Sequence, residues 1–141
     1  MMAGVIAGII GSILFVLSGI HLYWVAGGRR GLLAAIPSDG SNIKFQPTKI
    51  ATSVVAGALA LAGLFVIELG EVMERLIFPE WLFRYGGWML SGVFLLRTVG
   101  DFRWIGFFKK QKETSFAKWD TLLYSPLCLF IGIGLIFVVN S

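Results

Sequence analysis

Polar side chains that could bind a ligand or transfer a proton gather near the ends of three apolar segments. They are His21, Tyr23, Trp24, Arg97, Asp101, Arg103, Asp120, Tyr124 and Ser125. Histidine exchanges protons near neutral pH and can work with an aspartate as an acid–base pair. Arginine binds phosphate and carboxylate groups through its planar set of donors. These residue types predict a site for a small polar, anionic or lipid-like ligand, and they also fit proton-transfer chemistry.

Helical spacing places several of these side chains on common faces. Arg97 and Asp101 are one turn apart and can form an ion pair. Asp120, Tyr124 and Cys128 form a second stripe at four-residue spacing. A charge in hydrocarbon is costly unless it faces the bundle or water and finds a partner. We therefore expect Asp101 and Asp120 to be the partners of Arg97.

Each of these residues also has a purely structural explanation. Arg97 fits a side chain that reaches up to lipid headgroups, with Asp101 as its ion-pair partner. His21 fits a hydrogen-bonded residue at a helix end, and Trp24 fits the aromatic belt of a membrane surface. The functional interpretation depends on the convergence of all of them on one side of the membrane.

The motifs of common metal and cofactor sites are missing from the sequence. With one histidine and one cysteine, Cys128, the chain can form no intramolecular disulfide and no Cys-rich zinc site. It contains no HExxH motif and no phosphate-binding glycine loop. We expect neither a metal ion nor a cofactor, and an inert thiol at Cys128.

Four long apolar segments must position the polar residues. The 141 residues are 57% hydrophobic and 14% charged, with a mean hydropathy of +0.83, whereas soluble domains contain about 25% charged residues. About 20 apolar residues cross the ~30 Å hydrocarbon layer as a helix, and a helix satisfies its own backbone hydrogen bonds there. The sequence therefore predicts one all-α transmembrane domain over residues 1–141, a compact four-helix bundle. Its expected spans are about 3–26, 48–69, 81–98 and 122–139.

The first segment has no Lys or Arg ahead of its apolar run and is longer than the core of a signal peptide. We therefore expect it to be retained as a span. Lys and Arg are concentrated in the first and third connections, whereas the middle connection is acidic. Because short basic loops stay in the cytoplasm, both of those loops should be cytoplasmic and both termini outside, in a multi-pass protein. Expected partners are the bilayer and anionic lipid headgroups at its cytoplasmic face, and no nucleic acid.

Small residues recur at four-residue spacing in the first two spans: Gly4, Gly8 and Ser12, then Thr52, Ala56 and Ala60. Such stripes let helix backbones approach closely. They predict packing either within the bundle or between two copies in a homodimer.

The connection between the second and third spans is expected to be a tight turn. Residues VMERLIF continue the helical pattern, and Pro79 suits the first turn of the next helix. Two pairs have the spacing of helical ion pairs: Glu71 with Arg75, and Glu80 with Arg84. The sequence favours solvated carboxylates for Glu68 and Glu71, rather than half of a cation site.

A weak internal similarity links the two halves of the chain. HLYW (21–24) ends the first span, DFRW (101–104) follows the third, and a basic connection comes after each. Two hairpins with the same orientation would be related by an axis along the membrane normal, as in transporters with parallel repeats.

Four blocks of the sequence, SGIHLYW, GGRRGLLAAIP, FLLRTVGDFRWIGFFKK and KWDTLLYSPLC, occur in this order. Together they resemble a family of small bacterial four-span membrane proteins that is catalogued only as a domain of unknown function. The resemblance covers nearly the whole chain and implies a bacterial cytoplasmic (inner) membrane protein. It implies no activity, substrate or cofactor.

Three functions fit these observations. In the first, Arg97, Arg103 and His21 bind or help to move a polar, anionic or lipid-like ligand on the cytoplasmic side, while Asp101 and Asp120 orient the cations. In the second, the protein is an intramembrane enzyme for a lipid-like or isoprenoid-like substrate, with proton exchange between His21 and an aspartate. In the third, it is an interaction subunit of a membrane complex. The sequence favours the first and leaves open whether the protein is an enzyme.

Overall fold

A computed structural model of the chain describes residues 1–30, 48–100 and 123–141. These parts form four helices and contain no strand: α1 (Met2–Val25), α2 (Lys49–Leu69), α3 (Glu80–Val99) and α4 (Ser125–Val139). The expected all-helical fold is confirmed. The bounds of α1, α2 and α3 lie within one residue of the expected spans, and α4 ends where expected.

Local sequence signals explain where the helices begin. The Thr48 side chain accepts a hydrogen bond from the N–H of Ala51 (3.0 Å) and so caps α2. Pro79 directly precedes α3 as its cap residue, one position earlier than expected, and Glu80 follows in the first turn, where a negative charge is favoured. Pro126 occupies the first turn of α4 and costs no helical hydrogen bond there.

The helices are arranged as two antiparallel hairpins. The first hairpin pairs α1 with α2, and the second pairs α3 with α4. A smaller contact between α1 and α4 joins the hairpins, and α2 touches α3 and α4 only slightly. The bundle therefore has a turn end, where residues 70–79 connect α2 to α3, and a loop end, where the two longer connections begin.

In the first hairpin, glycines let the two backbones approach closely. A Cβ atom added at either Gly11 or Gly63 would lie 3.3 Å from the carbonyl oxygen of the other. One side of the crossing is also held by a hydrogen bond, in which the buried Ser18 hydroxyl donates to the carbonyl oxygen of Ala56 (2.7 Å). Small residues thus fit the backbones together and a hydroxyl group links them.

The packing face of α1 differs from the expected stripe. The buried residues are Ala7, Ile10, Gly11, Leu14 and Ser18. Among the described residues Gly8 has no neighbour near its Cβ position, and Ser12 is exposed, so for these two the expectation of packing within the bundle is wrong. Their use between two copies stays a prediction. A strict four-residue repeat rotates about 40° per step around the helix, whereas alternating steps of three and four stay on one face.

The second hairpin contains matching contacts. The buried Ser91 hydroxyl donates to the carbonyl oxygen of Gly132 (2.7 Å), and Thr98 Oγ1 lies 3.5 Å from the carbonyl oxygen of Ser125. A side chain added at Gly87 would overlap Val139.

The two hairpins repeat one packing scheme: residues of α1 correspond to residues of α3 that lie 80 positions later, and residues of α2 to residues of α4 that lie 69 positions later. In the first hairpin the facing pairs are Ala7 with Gly70, Gly11 with Gly63, and Ser18 with Ala56. In the second they are Gly87 with Val139, Ser91 with Gly132, and Thr98 with Ser125. The similarity between HLYW and DFRW has the same offset of 80 positions, so these contacts support the internal repeat that the sequence suggested.

The hydrophobic core lies where the hairpins meet. Ile6 and Ile10 of α1 pack against Gly134 of α4, and a Cβ there would come within 2.7 Å of Ile10. Toward the turn end, Phe65 stacks on Phe83 with ring centroids 5.5 Å apart. Despite this core, most apolar side chains lie at the surface, since 28% of the most apolar stretch of α1 and 22% of that of α2 is buried. Among the described helices these two are long and apolar enough to cross a membrane, and α4 is apolar but shorter.

The carboxylate of Glu68 is fully buried at the end of α2 and holds the turn that follows. Its Oε1 accepts hydrogen bonds from the N–H groups of Leu76 (3.2 Å) and Ile77 (2.9 Å), and its Oε2 accepts one from Phe78 (3.3 Å). The expectation of a solvated carboxylate at Glu68 is wrong. The turn folds back over this side chain and supplies three amide donors in place of water.

The expected continuation of α2 through VMERLIF is also wrong, because the helix ends at Leu69. Glu71 has a left-handed backbone (φ 55°), which turns the chain. Arg75 pairs with Glu71 (3.2 Å) as expected, but it also pairs with Glu80 (3.3 Å), which was expected to pair with Arg84. Arg75 therefore links the turn to the start of α3.

We expect Gly11→Ala to destabilise the protein, because the new methyl group must displace Ile67 and press against the Gly63 carbonyl. Overpacking costs about 1–3 kcal/mol, offset by up to about 1 kcal/mol from the helix propensity of alanine. The matched control is Gly8→Ala in the same helix, where the space is open. The melting temperature in mild detergent should fall for the first variant and stay the same or rise for the control. Equal values for the two would contradict the close crossing.

We expect Glu68→Ala to destabilise the turn end, because it leaves three amide groups without their acceptor. A buried donor without a partner costs about 1–3 kcal/mol, so the loss should be at least of that size. Glu74→Ala is the control, since this exposed glutamate lies in the same turn. Hydrogen exchange at residues 76–78 should accelerate in the first variant alone. Unchanged exchange there would show that the carboxylate does not hold the turn.

Candidate functional site

His21 lies in the last turns of α1 with a defined tautomer. Its Nδ1 atom is 2.7 Å from the carbonyl oxygen of Leu17. Because a carbonyl can only accept, Nδ1 carries the proton and Nε2 is the acceptor of the neutral ring. The Trp24 ring meets the imidazole edge-on, with centroids 5.1 Å apart, and its Nε1 donates to the carbonyl oxygen of Arg30 (3.0 Å). These two contacts orient the imidazole, and neither of them is a hydrogen bond to Nε2.

Two glycines end α1 directly beside these residues. Gly27 is left-handed (φ 105°), and the N–H groups of Gly27 and Gly28 donate to the carbonyl oxygens of Trp24 and Tyr23. This is the Schellman arrangement, which satisfies carbonyl groups at the helix end. The half-exposed Tyr23 ring lies over Gly28, where a Cβ atom would overlap it. The glycine pair thus fixes both the end of the helix and the place of the tyrosine.

The end of α3 and the start of α4 adjoin at the loop end. Thr98 is buried, and its hydroxyl donates to the carbonyl oxygen of Phe94 (3.0 Å) and approaches that of the buried Ser125. Arg97, half-buried in the last turn of α3, is a cation at the end of a helix where positive charge is favoured. Tyr124 precedes α4 and is also half-buried.

The expected site residues therefore form two clusters at the same end of the bundle. The α1 cluster consists of His21, Tyr23 and Trp24, and the α3–α4 cluster consists of Arg97, Thr98, Tyr124 and Ser125. Both lie at the loop end, because α1 ends there and α4, which is antiparallel to α1, begins there. Their union in one pocket stays a prediction, and Asp101, Arg103 and Asp120 lie outside the described residues.

Thr98 is the member of these clusters that sequence reasoning missed. The available signal was its seven-residue separation from Ser91, which puts both hydroxyl groups on one face of α3. Within residues 1–30, 48–100 and 123–141, no three His, Cys, Asp or Glu side chains are close enough to hold a metal ion.

A cavity of about 1060 Å³ opens at the opposite end of the bundle, among the ends of all four helices. We call it the turn-end vestibule. Its charged lining residues are Glu71, Arg75, Glu80 and Arg84. No cavity was expected there, because the candidate functional residues in the sequence lie at the loop end.

These features define a small all-helical protein built from two similarly packed hairpins, with polar groups at both ends. The family model described as Protein of unknown function (DUF3995) matches residues 14–135, and the chain belongs to that family. The match includes the described residues of both loop-end clusters. No curated protein and no solved structure matches the chain.

Proposed function

We propose that this protein is an integral membrane protein whose four helices all cross the bacterial cytoplasmic membrane. The supporting observation is the exposure of its apolar side chains. Val16 of α1, Val54 of α2, Val93 of α3 and Ile133 of α4 are each more than half exposed, and many similar residues surround them. A soluble protein rarely leaves so large an apolar surface in contact with water.

The ends of α3 fit the same placement. Arg84 and Arg97 lie near opposite ends of the helix, and the stretch between them contains no charged residue. Trp81, Tyr85 and Trp88 are exposed near the turn end, at the depth where an aromatic belt meets the headgroups. The basic residues of the two longer connections favour a cytoplasmic loop end, with both termini and the 70–79 turn outside.

We further propose that the loop end binds or moves a small polar, anionic or lipid-like ligand. Arg97 would supply positive charge at the level of the inner headgroups, and His21 would supply a ring nitrogen that its own helix leaves available. Tyr23 and Trp24 provide aromatic surface for an apolar part of the ligand. Asp101 and Asp120 would orient the cations, and anionic headgroups are the nearest source of such a ligand.

Catalysis is the second candidate, and the tautomer of His21 favours it. With Nδ1 held by Leu17, Nε2 is placed to accept a proton from a lipid-like substrate. An interaction subunit or a homodimer is the third candidate. It would use small residues of α1 such as Gly8, which has no described neighbour near its Cβ position, and Ser12, which is exposed.

The orientation predicts which residues can be labelled from outside. In a Cys128→Ser background, we expect Glu74→Cys to react with a membrane-impermeant maleimide on intact spheroplasts, because it lies in the turn. Arg30→Cys at the loop end should react only after permeabilisation. The reverse pattern would invert the proposed topology, and labelling of both positions on intact spheroplasts would rule out a barrier between them.

We expect Arg97→Leu to abolish retention of the loop-end ligand while the protein stays folded. The measurement is native mass spectrometry of the full chain purified in mild detergent, with Arg29→Leu as an exposed arginine control. Wild type and control should carry the same added mass, and Arg97→Leu should lose it.

An Arg97→Leu protein that keeps the ligand would contradict the binding proposal, as would a wild-type protein that carries none. A changed product mass that is absent from His21→Gln would favour the enzyme. A stable complex with a second chain would favour the interaction subunit.

A further inference from the structure

The turn-end vestibule is large enough for a small ligand, and its walls come from both hairpins. Gly4 of α1, Leu69 of α2, Phe83 of α3 and Val138 of α4 all line it. Along their lengths, α2 packs only slightly against α3. The volume of the vestibule, about 1060 Å³, is at the upper limit of ordinary small-molecule sites, about 300–1,000 Å³.

Arg75, in the 70–79 turn, lines the vestibule and is held by three contacts. Its guanidinium carbon lies 4.7 Å from the centroid of the Phe83 ring, and its nitrogen atoms contact Oε1 of Glu71 and Oε1 of Glu80. Two carboxylates thus outweigh one guanidinium charge, and the Oε2 atoms of both glutamates make no hydrogen bond or ion pair within the described residues. This side of the vestibule is suited to a cationic group.

Arg84 supplies the opposite charge. It lines the vestibule, is exposed, and makes no ion pair with the described carboxylates. Trp81 and Tyr85, both more than half exposed, flank it in sequence and also line the cavity. Arginine binds phosphate oxygens through paired donors, and aromatic faces attract ammonium groups. The vestibule therefore presents one anion-binding residue beside an acidic and aromatic wall.

The turn that carries these groups is held in advance of any ligand. Glu68 fixes residues 76–78 through three hydrogen bonds, and Phe78 packs edge-on against Phe65 (centroids 5.4 Å apart). A site whose parts are already ordered loses less entropy on binding. Leu69 and Val138, which are buried, and the half-buried Val139 supply apolar lining suited to the first carbons of an acyl chain.

We infer that the turn-end vestibule binds the zwitterionic headgroup of a phospholipid, with its phosphate on Arg84 and its ammonium group on Glu71 and Glu80. This site is separate from the loop-end clusters and does not depend on their ligand. A phosphate alone would leave the two carboxylates facing it, and an amine alone would leave Arg84 without a partner. A headgroup that carries both charges satisfies both sides.

The test is native mass spectrometry of the delipidated full chain in detergent, titrated with phosphatidylethanolamine or phosphatidylglycerol of the same acyl chains. The wild type should prefer phosphatidylethanolamine by about tenfold, the scale of one charge-assisted contact. Arg84→Gln should lose about tenfold in affinity for both lipids. The double variant Glu71→Gln, Glu80→Gln should reverse the preference toward phosphatidylglycerol, because the positive charge of Arg75 is then no longer neutralised by these two carboxylates.

Two controls separate this site from its alternatives. Glu74→Gln, in the same turn but outside the lining, and Arg29→Leu, an exposed arginine at the loop end, should leave the lipid preference unchanged. Equal affinity of the wild type for both lipids, or an Arg84→Gln variant that binds like the wild type, would overturn the inference. Displacement of the lipid by a comparable concentration of free phosphoethanolamine would overturn the lipid assignment in favour of a soluble zwitterion.

Discussion

The close approach of paired backbones is the constraint on which the rest of this structure depends. In the proposed membrane placement, helices gain little by hiding apolar side chains from lipid, so contact between backbones and interhelical hydrogen bonds must hold them together. Gly11 and Gly63 permit this approach in the first hairpin. Ser18 in this hairpin and Ser91 in the second hairpin each donate a hydrogen bond to a carbonyl oxygen on the neighbouring helix. Their hydroxyl groups are therefore satisfied without water.

The placement of the functional groups follows from how unevenly the helices pack. Contacts are extensive within each hairpin and sparse between α2 and α3, and a cavity opens at the end where the turn joins these two helices. Glu68 keeps that opening defined by bonding the turn to the end of α2. At the other end, Thr98 links the end of α3 to the start of α4, and the glycine pair terminates α1. The fold thus offers two separate polar regions.

The helices could be located from the sequence because runs of apolar residues with capping signals at their ends leave few alternatives. The faces that pack could not, because a glycine-rich helix has small residues on several faces. Gly8 and Gly11 differ only in what lies opposite each of them. Glu68 was misplaced for a related reason: its burial depends on amide groups eight to ten residues later, which have no sequence signature. The grouping of polar residues by depth was predictable, but which side chains meet depends on helix rotation.

The repeated packing scheme has a consequence for biogenesis. Each hairpin satisfies its own buried hydroxyl groups, since Ser18 uses a carbonyl of α2 and Ser91 uses one of α4. Neither of these two hydroxyl groups needs an acceptor from the other hairpin. In the proposed membrane placement, the first hairpin can therefore insert with its buried hydroxyl group already hydrogen-bonded while the second is still being synthesised, and the contact at Gly134 forms afterwards.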